Sequence, residues 1–411
     1  MAIDAPETTA DTAEDAAYRA AARVWLAANA PAFYSPPGPP GHEPAALQKG
    51  WARRKWEAGY SGIDVPEAAG GAGGTPRQAR IFAEEEAAYA VPRSAAHYLV
   101  LAALMTFGTP EQIKRWGTSM WSGAGLWTQL FSEPSAGSDL GALRTRAVRR
   151  GDDWIVNGQK VWSSYAHRAD YGFMVARTDG SVPKHKGLTF FFIDMRQPGV
   201  EVRPIRQMTG AADFNEVFFT DAVVPDADRI GAVGQGWAVT MTVLGAERTG
   251  GGGTAGFGEG PDSPVSGPNL VRAAGKARRG AGVALDSAQV RAQLAQWHVE
   301  EQGIANFSRR LREIAAAGGE LPPTSPVVKL TSARRIQQAL SFLMDLEEYA
   351  GVVQDADWPR DDKFYDYLYA PIFRIAGGSD EILRNQLSER ALGMPGDIRL
   401  DKDRPFDELP F

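Results

Sequence analysis

The chain has 411 residues, 44% hydrophobic and 23% charged, the balance of a globular protein with room for two or three lobes. Its 44 Lys plus Arg against 50 Asp plus Glu leave a net charge of −6, which argues against a partner in nucleic-acid phosphates. The absence of Cys excludes disulfides, thiolate metal sites, iron–sulfur clusters and a Cys nucleophile, and five His argue against a His-rich metal centre.

The first lobe, expected over residues 1–125, reads as helices broken by Gly/Pro loops. Asp11 or Thr12 caps a helix to Asn29, with Ala17, Ala21, Val24 and Ala28 near one face and Pro31 ending it. Residues 34–41, YSPPGPPG, form a loop. Further helices are expected over 44–59, 77–89, 94–107 and 111–120, with a glycine-rich turn region after the first of these.

From Leu126 to residue 233 the pattern changes to strands. Segments 127–132, 144–150, 153–164, 171–179, 187–194 and 215–225 are rich in β-branched and aromatic residues and separated by turn residues. Short connections without helices predict an antiparallel sheet or barrel. Asn157-Gly158 reads as a hairpin turn.

The last lobe, 234–411, is helical again, with long helices over 287–317, 325–350 and 379–392. Residues 250–284 begin GGGGTAGFGEGPDSPVSGP and read as a loop or mobile segment. The order α, β, α makes this an α+β chain. No apolar run approaches the ~20 residues of a membrane span, and the acidic N-terminus is unlike a signal peptide. A soluble, cytoplasmic enzyme is expected.

Three polar motifs stand out. Gln129-Leu-Phe-Ser-Glu-Pro-Ser-Ala-Gly-Ser-Asp139 leaves the first strand of the middle lobe and either ends that strand or presents N–H groups and hydroxyls to an anion or an aromatic ring. Asn157 to Ser164 delivers Trp162, Ser163 and Ser164 at a strand end, and the Trp is either a core residue or part of a site. Gly377-Gly378-Ser379-Asp380-Glu381 is either a well-capped helix start or a set of N–H donors for a phosphate or oxyanion.

In this order the motifs resemble the acyl-CoA dehydrogenase family of flavoproteins. Ser132-Glu133-Pro134 with Gly137-Ser138-Asp139, Asn157 to Ser164, and Gly377 to Asn385 followed by Glu389 to Gly393 carry the resemblance across nearly the whole chain. It implies an N-terminal helical domain, a middle antiparallel β-barrel domain and a C-terminal helical bundle. It also implies FAD and oxidation of an acyl-CoA thioester to the trans-2-enoyl-CoA, a carboxylate taking the α-proton while hydride leaves to flavin N5. Phe131, Ser132, Trp162 and Ser164, with Ser163 and Gly137 beside them, fall where the family contacts the flavin, as does Gln129 in a position that often carries an aromatic residue. Ser138 falls where the family touches the CoA arm, Arg248 follows the candidate base on the substrate side, and Ser379 and Glu381 match contacts to FAD.

Where many members carry the base, this chain has Gly377. By resemblance to isovaleryl-CoA dehydrogenase the base falls instead at Glu247, in Gly245-Ala246-Glu247-Arg248. Glu247 is one helical turn after Val243 and borders the face carrying Trp237, Met241 and Leu244, where desolvation would raise its pKa. The other reading is a surface Glu beside Arg248. The backbone N–H of Gly377 or Gly378 would polarise the thioester carbonyl.

Two motifs that homotetrameric members lend to a neighbour's FAD, Arg-x-x-Phe-Gly and Gln-x-x-Gly-Gly-x-Gly, are replaced here by residues 284–291 and 346–351. The resemblance therefore implies either a homo-oligomer with altered adenosine contacts or a heteromer with a homologous subunit, as in actinobacterial α2β2 members. An electron-transfer flavoprotein is the implied acceptor. The rival readings are an acyl-CoA oxidase, a nitroalkane oxidase and a non-catalytic or half-site subunit.

Overall fold

The computed structural model describes residues 11–34, 44–92, 97–249, 263–316, 319–351, 353, 362–396, 398–399, 401 and 403–409. Thr12 opens α1 (Ala13–Asn29) with a reciprocal capping box, its hydroxyl accepting from Asp15 N and the Asp15 carboxylate from Thr12 N, both at 3.1 Å. After α2 (Ala45–Glu57), Thr75 with Gln78 caps α3 (Pro76–Glu86) in the same way. Beyond α4 (His97–Phe107), Thr109 with Gln112 repeats the device at α5 (Pro110–Trp121). Ala22, Leu26, Trp51 and Phe82 form the buried centre of these helices, with Trp25 and Tyr60 packed against them.

The strands are β1 (Trp127–Leu130), β2 (Arg146–Arg150), β3 (Asp153–Ser164), β4 (Tyr171–Arg177), β5 (Leu188–Asp194), β6 (Val200–Ile205), β7 (Phe214–Pro225) and β8 (Arg229–Ile230). They run in the order β6-β7-β3-β2-β4-β5-β8, with β1 alongside β4. The expected antiparallel barrel is not what forms. The two ends of the path, β6 and β8, do not pair among the described residues, and β1 and β2 each meet β4 in parallel. β2 and β4 share the single register pair Arg146↔Arg177. Ala147, Trp154, Val217 and Val224 join Leu130, Met174, Phe191 and Ile193 in one buried cluster.

Asn157-Gly158 does not turn the chain. Both lie within β3, and the register against β7 shifts between Val156 and Gly158. The Asn157 amide exchanges two 2.9 Å bonds with Asp221, on β7. A side chain at Gly158 would put Cβ 2.5 Å from Thr145 Oγ1 and 2.7 Å from its Cα, so only glycine fits. The long pairing with β7 overrides a local turn preference.

After α6 (Gly236–Thr249) come α7 (Gly267–Lys276), the two-residue strands β9 (Arg278–Arg279) and β10 (Gly282–Val283), α8 (Ala288–Ala316), α9 (Val327–Leu346), α10 (Asp362–Tyr369) and α11 (Asp380–Gln386). Within the interval read as a loop, residues 250–262 lie outside the described residues, but α7 and the β9–β10 hairpin are ordered elements. Leu270 and Ala274 bury one face of α7 in a core with Trp297, Ile336, Leu340 and Phe373. The Glu301 carboxylate accepts from Gly267 N at 3.0 Å and pairs with Arg335 at 3.4 Å, tying α7, α8 and α9 together. The expected 379–392 helix stops at Gln386 and continues as a π turn over Leu387–Ala391.

The chain divides into two compact units, Met1–Ile205 with Ala212–Val243 and Arg404–Phe411, and Arg206–Ala211 with Leu244–Asp403.

Candidate functional site

In the first unit the structure brings two of the motifs together. The chain leaving β1 turns back at Glu133 and Ala136, which exchange backbone bonds of 3.0 Å. Val161 N donates to Ser132 O at 2.9 Å, and Thr128 Oγ1 to Ser164 O at 2.9 Å, so the end of β3 lies against the exit of β1. Gln129 is half-buried in β1. Phe131 is only 5% exposed, its ring edge-on to Phe173 and Phe190 and its carbonyl taken by Lys160. Ser132 is half-buried, while Gly137, Ser138 and Ser164 are exposed.

Trp162 is the conformational outlier. Its φ is 61°, in the left-handed region a bulky side chain rarely adopts, and its indole is 60% exposed. Bonds on either side hold it there: Val161 to Ser132, and Asn215 Nδ2 to Ser163 O at 2.8 Å. Ser163 is 1% exposed, and its Oγ has no hydrogen-bond partner among the described residues. An exposed indole beside an orphaned buried hydroxyl is an arrangement that a polar aromatic ring would complete.

A feature that sequence reasoning passed over fixes this corner. Lys160, fully buried, donates to Phe131 O at 3.0 Å, Glu133 Oε1 at 2.8 Å and Val175 O at 2.9 Å. Glu133 in turn accepts from Arg144 N at 2.6 Å and Thr145 N at 2.9 Å. Burial alone would raise the Glu133 pKa, but the Lys160 charge and these bonds outweigh it and hold the carboxyl below the ordinary range. Lys160 in the second motif, two residues after Gly158, with a Glu in the first motif was the available signal.

In the second unit, Gly377 (φ 67°) and Gly378 (φ 100°) form a left-handed pair that needs glycine. Ser379 then caps α11, its hydroxyl accepting from Ile382 N, and buried Asp380 is ion-paired with Arg374. Gly378 O accepts from Lys329 Nζ. Glu381 is exposed in the first turn. With α11 only seven residues long, the geometry here is that of a capped helix start. Glu247 lies on α6, four residues after Val243 in the row of the buried residues Val239 and Val243; the side chains of Glu247 and Arg248 lie outside the described residues. Among the described residues no group of His, Asp and Glu could hold a metal ion, and no helix is long and apolar enough to cross a membrane.

Comparison with known proteins covers most of the chain. Residues 12–124 match the acyl-CoA dehydrogenase N-terminal domain, 128–222 the middle domain and 234–392 the C-terminal domain. Acyl-CoA dehydrogenase IpdE1 of Mycobacterium tuberculosis is 36% identical over 391 residues, covering 93% of this chain and 98% of its own. Acyl-CoA dehydrogenase FadE34 of the same organism is 38% identical over 327 residues, 79% of this chain but 43% of its own length. Among solved structures of the same fold, the Tcur3481-Tcur3483 steroid ACAD aligns with a TM-score of 0.75 at 23% identity over 94% of this chain and 99% of that one. The ChsE4-ChsE5 complex from Mycobacterium tuberculosis aligns with a TM-score of 0.73 at 24% identity over 95% of this chain and 100% of that one. On these grounds the chain belongs to the acyl-CoA dehydrogenase family, oxidoreductases whose members are FAD-dependent flavoproteins.

Proposed function

We propose that this chain oxidises an acyl-CoA thioester to the trans-2-enoyl-CoA, with Glu247 as the base that takes the α-proton. The observation that carries the reading is the corner built from Ser132, Trp162 and Ser163. An exposed indole held in the left-handed region, an orphaned buried hydroxyl and the nearby Ser132 and Ser164 fit the polar edge and face of a flavin ring. Bound FAD supplies a hydride acceptor at N5. Phe131, Gln129 and Gly137 flank the same corner, and Ser138 meets the CoA arm.

Glu247 continues the Val239–Val243 row of α6 and is the carboxylate this reading assigns as the base. Arg248 beside it serves the substrate. Gly377 and Gly378, freed of side chains, offer N–H groups to the thioester carbonyl. Ser379 and Glu381 are assigned to FAD by the same reading.

A heteromer with a homologous subunit is favoured over a homo-oligomer. At the place of the missing lending motifs, a cavity of about 580 Å³ is bordered by Asp286 and Asp345, and the Arg279 guanidinium there is committed to Asp345 O and Leu346 O at 2.7 and 3.0 Å. Acidic walls and an occupied Arg suit a pyrophosphate poorly. The chain would then hold the flavin through its own motifs and take the rest of the site from its partner, passing electrons to an electron-transfer flavoprotein in the cytoplasm.

The test begins with flavin per chain, by visible spectrum, for the protein purified alone and with a co-expressed homologue. Yellow protein only in the pairing supports the heteromer; one FAD per chain alone overturns it. In whichever form binds FAD, Glu247→Gln should keep the flavin and lose about 10²–10⁴-fold in dehydrogenation of straight-chain and ring-bearing acyl-CoA substrates. Full activity in Glu247→Gln removes that residue from the mechanism, and an inactive holoprotein across all substrates leaves a non-catalytic subunit.

A further inference from the structure

Arg177 ends β4 and is 2% exposed, yet its guanidinium is spent on backbone rather than on a single carboxylate. Nε donates to Leu143 O at 3.1 Å, Nη1 to Lys184 O at 3.1 Å and Nη2 to Gly141 O at 2.7 Å. Two of these acceptors lie in the loop that directly follows Ser138. Two neighbours grip the same loop: Lys184 Nζ binds both Asp139 carboxylate oxygens, at 2.9 and 2.7 Å, and the His185 ring abuts Gly141.

A distant piece of chain closes over this arrangement. The Phe406 ring centroid lies 3.4 Å from the Arg177 guanidinium carbon. Residues 404–409 are pinned by Phe406 N to Val182 O and Asp407 N to Gly180 O, each 3.0 Å, and by a bridge between Pro183 and Pro405. A guanidinium open to water exchanges its carbonyl partners for solvent; sealed under an aromatic face, it keeps them and gains cation–π attraction.

We propose that residues 404–409 act as a strap that positions the substrate: Phe406 seals Arg177, and the sealed guanidinium holds the 139–143 loop so that Ser138 meets the CoA arm. Phe406 and Arg177 are positioning residues, remote from the reacting atoms. The proposal rests on the reading of Ser138 as a CoA contact.

The test uses the FAD-loaded protein with Phe406→Leu, which keeps apolar cover but removes the ring face, Phe406→Trp, which restores a ring face, and Ser138→Ala. Amide exchange is followed at Ala142 and Leu143 alongside steady-state kinetics. Phe406→Leu should speed exchange there and raise KM for the acyl-CoA about three- to tenfold, with kcat and flavin content unchanged, and Phe406→Trp should reverse both effects. Unchanged exchange in Phe406→Leu overturns the strap. Faster exchange without a KM change overturns the positioning role, and Ser138→Ala then locates the fault: a raised KM leaves the Ser138 reading standing, whereas an unchanged one removes it. Parallel loss of kcat and flavin would show general support of the fold and overturn the proposal as well.

Discussion

Removing the Lys160 ammonium leaves the Glu133 carboxylate buried with its two backbone donors and without its ion-pair partner. Uncompensated burial of that kind costs about 3–5 kcal/mol, so Lys160→Met should lower Tm sharply and release flavin. Lys160→Met with Glu133→Gln removes both charges and should recover much of the lost Tm, which thermal unfolding of the two single variants and the double variant measures. Titration adds a second prediction at this scale. Asp226, held by Arg229 at 2.8 Å and by Trp154 Nε1 at 2.7 Å, has its pKa drawn down to about 2 despite partial burial. A carboxylate with a depressed native pKa stabilises the fold above its ordinary value near 3.8 and loses that contribution as pH falls towards 2. Asp226→Asn should therefore lower Tm at pH 7 and flatten the acid side of the Tm-against-pH curve, the two curves converging as pH falls towards 2. Trp162 and the serines around it stand out in the sequence as site candidates because of their residue types and their place in a motif. The Lys160–Glu133 pair does not, because its importance lies in burial, and a Lys beside Gln159 in a strand with several polar residues reads as a solvated position.

Helix starts were the most readable elements. A Thr followed three residues later by an acidic or amide residue marks α1, α3 and α5 within a residue of where they begin, and Thr109→Ala should cost about 1 kcal/mol of stability in denaturant unfolding. The failures have physical reasons too. Ser266, Pro268 and the Leu270–Ala274 spacing spell a helix start at α7, but the glycine-rich run before them masked it. Asn157-Gly158 carries the strongest local turn signal in the middle of the chain, yet twelve-residue strands β3 and β7 pair through it. Gly158→Ala should then behave as a crowding substitution against Thr145, lowering stability by about 1–3 kcal/mol, whereas a hairpin turn would tolerate it better.

The first two of the three lobes read from the sequence lie together in one compact unit. The reason is aromatic: Trp116 of α5 meets Trp127, Tyr171 and Phe192 of the sheet edge-on at 5.3, 5.1 and 5.5 Å, so the helices of the first lobe and the strands share one body. Period-based reading sees elements but not which of them share a core. At this scale the prediction concerns ligand linkage. In the form that completes the site, FAD at about 100 times its Kd should add about 2.7 kcal/mol of stability, read as a rise in Tm, and a form that lacks half the site should show no rise.

The placement of Phe406 over Arg177 also sets a timetable for synthesis. Arg177 emerges about 230 residues before the ring that covers it, a delay of roughly 10–50 s at ~5–20 residues per second. Once β8 has emerged, the first unit has its sheet but an unroofed cation, and the 139–143 loop hangs from bonds that water can contest. A stall late in translation, or a frameshift beyond Asp403, would leave a nearly complete chain whose 139–143 loop has never been locked, and such chains would be the natural prey of cellular proteases.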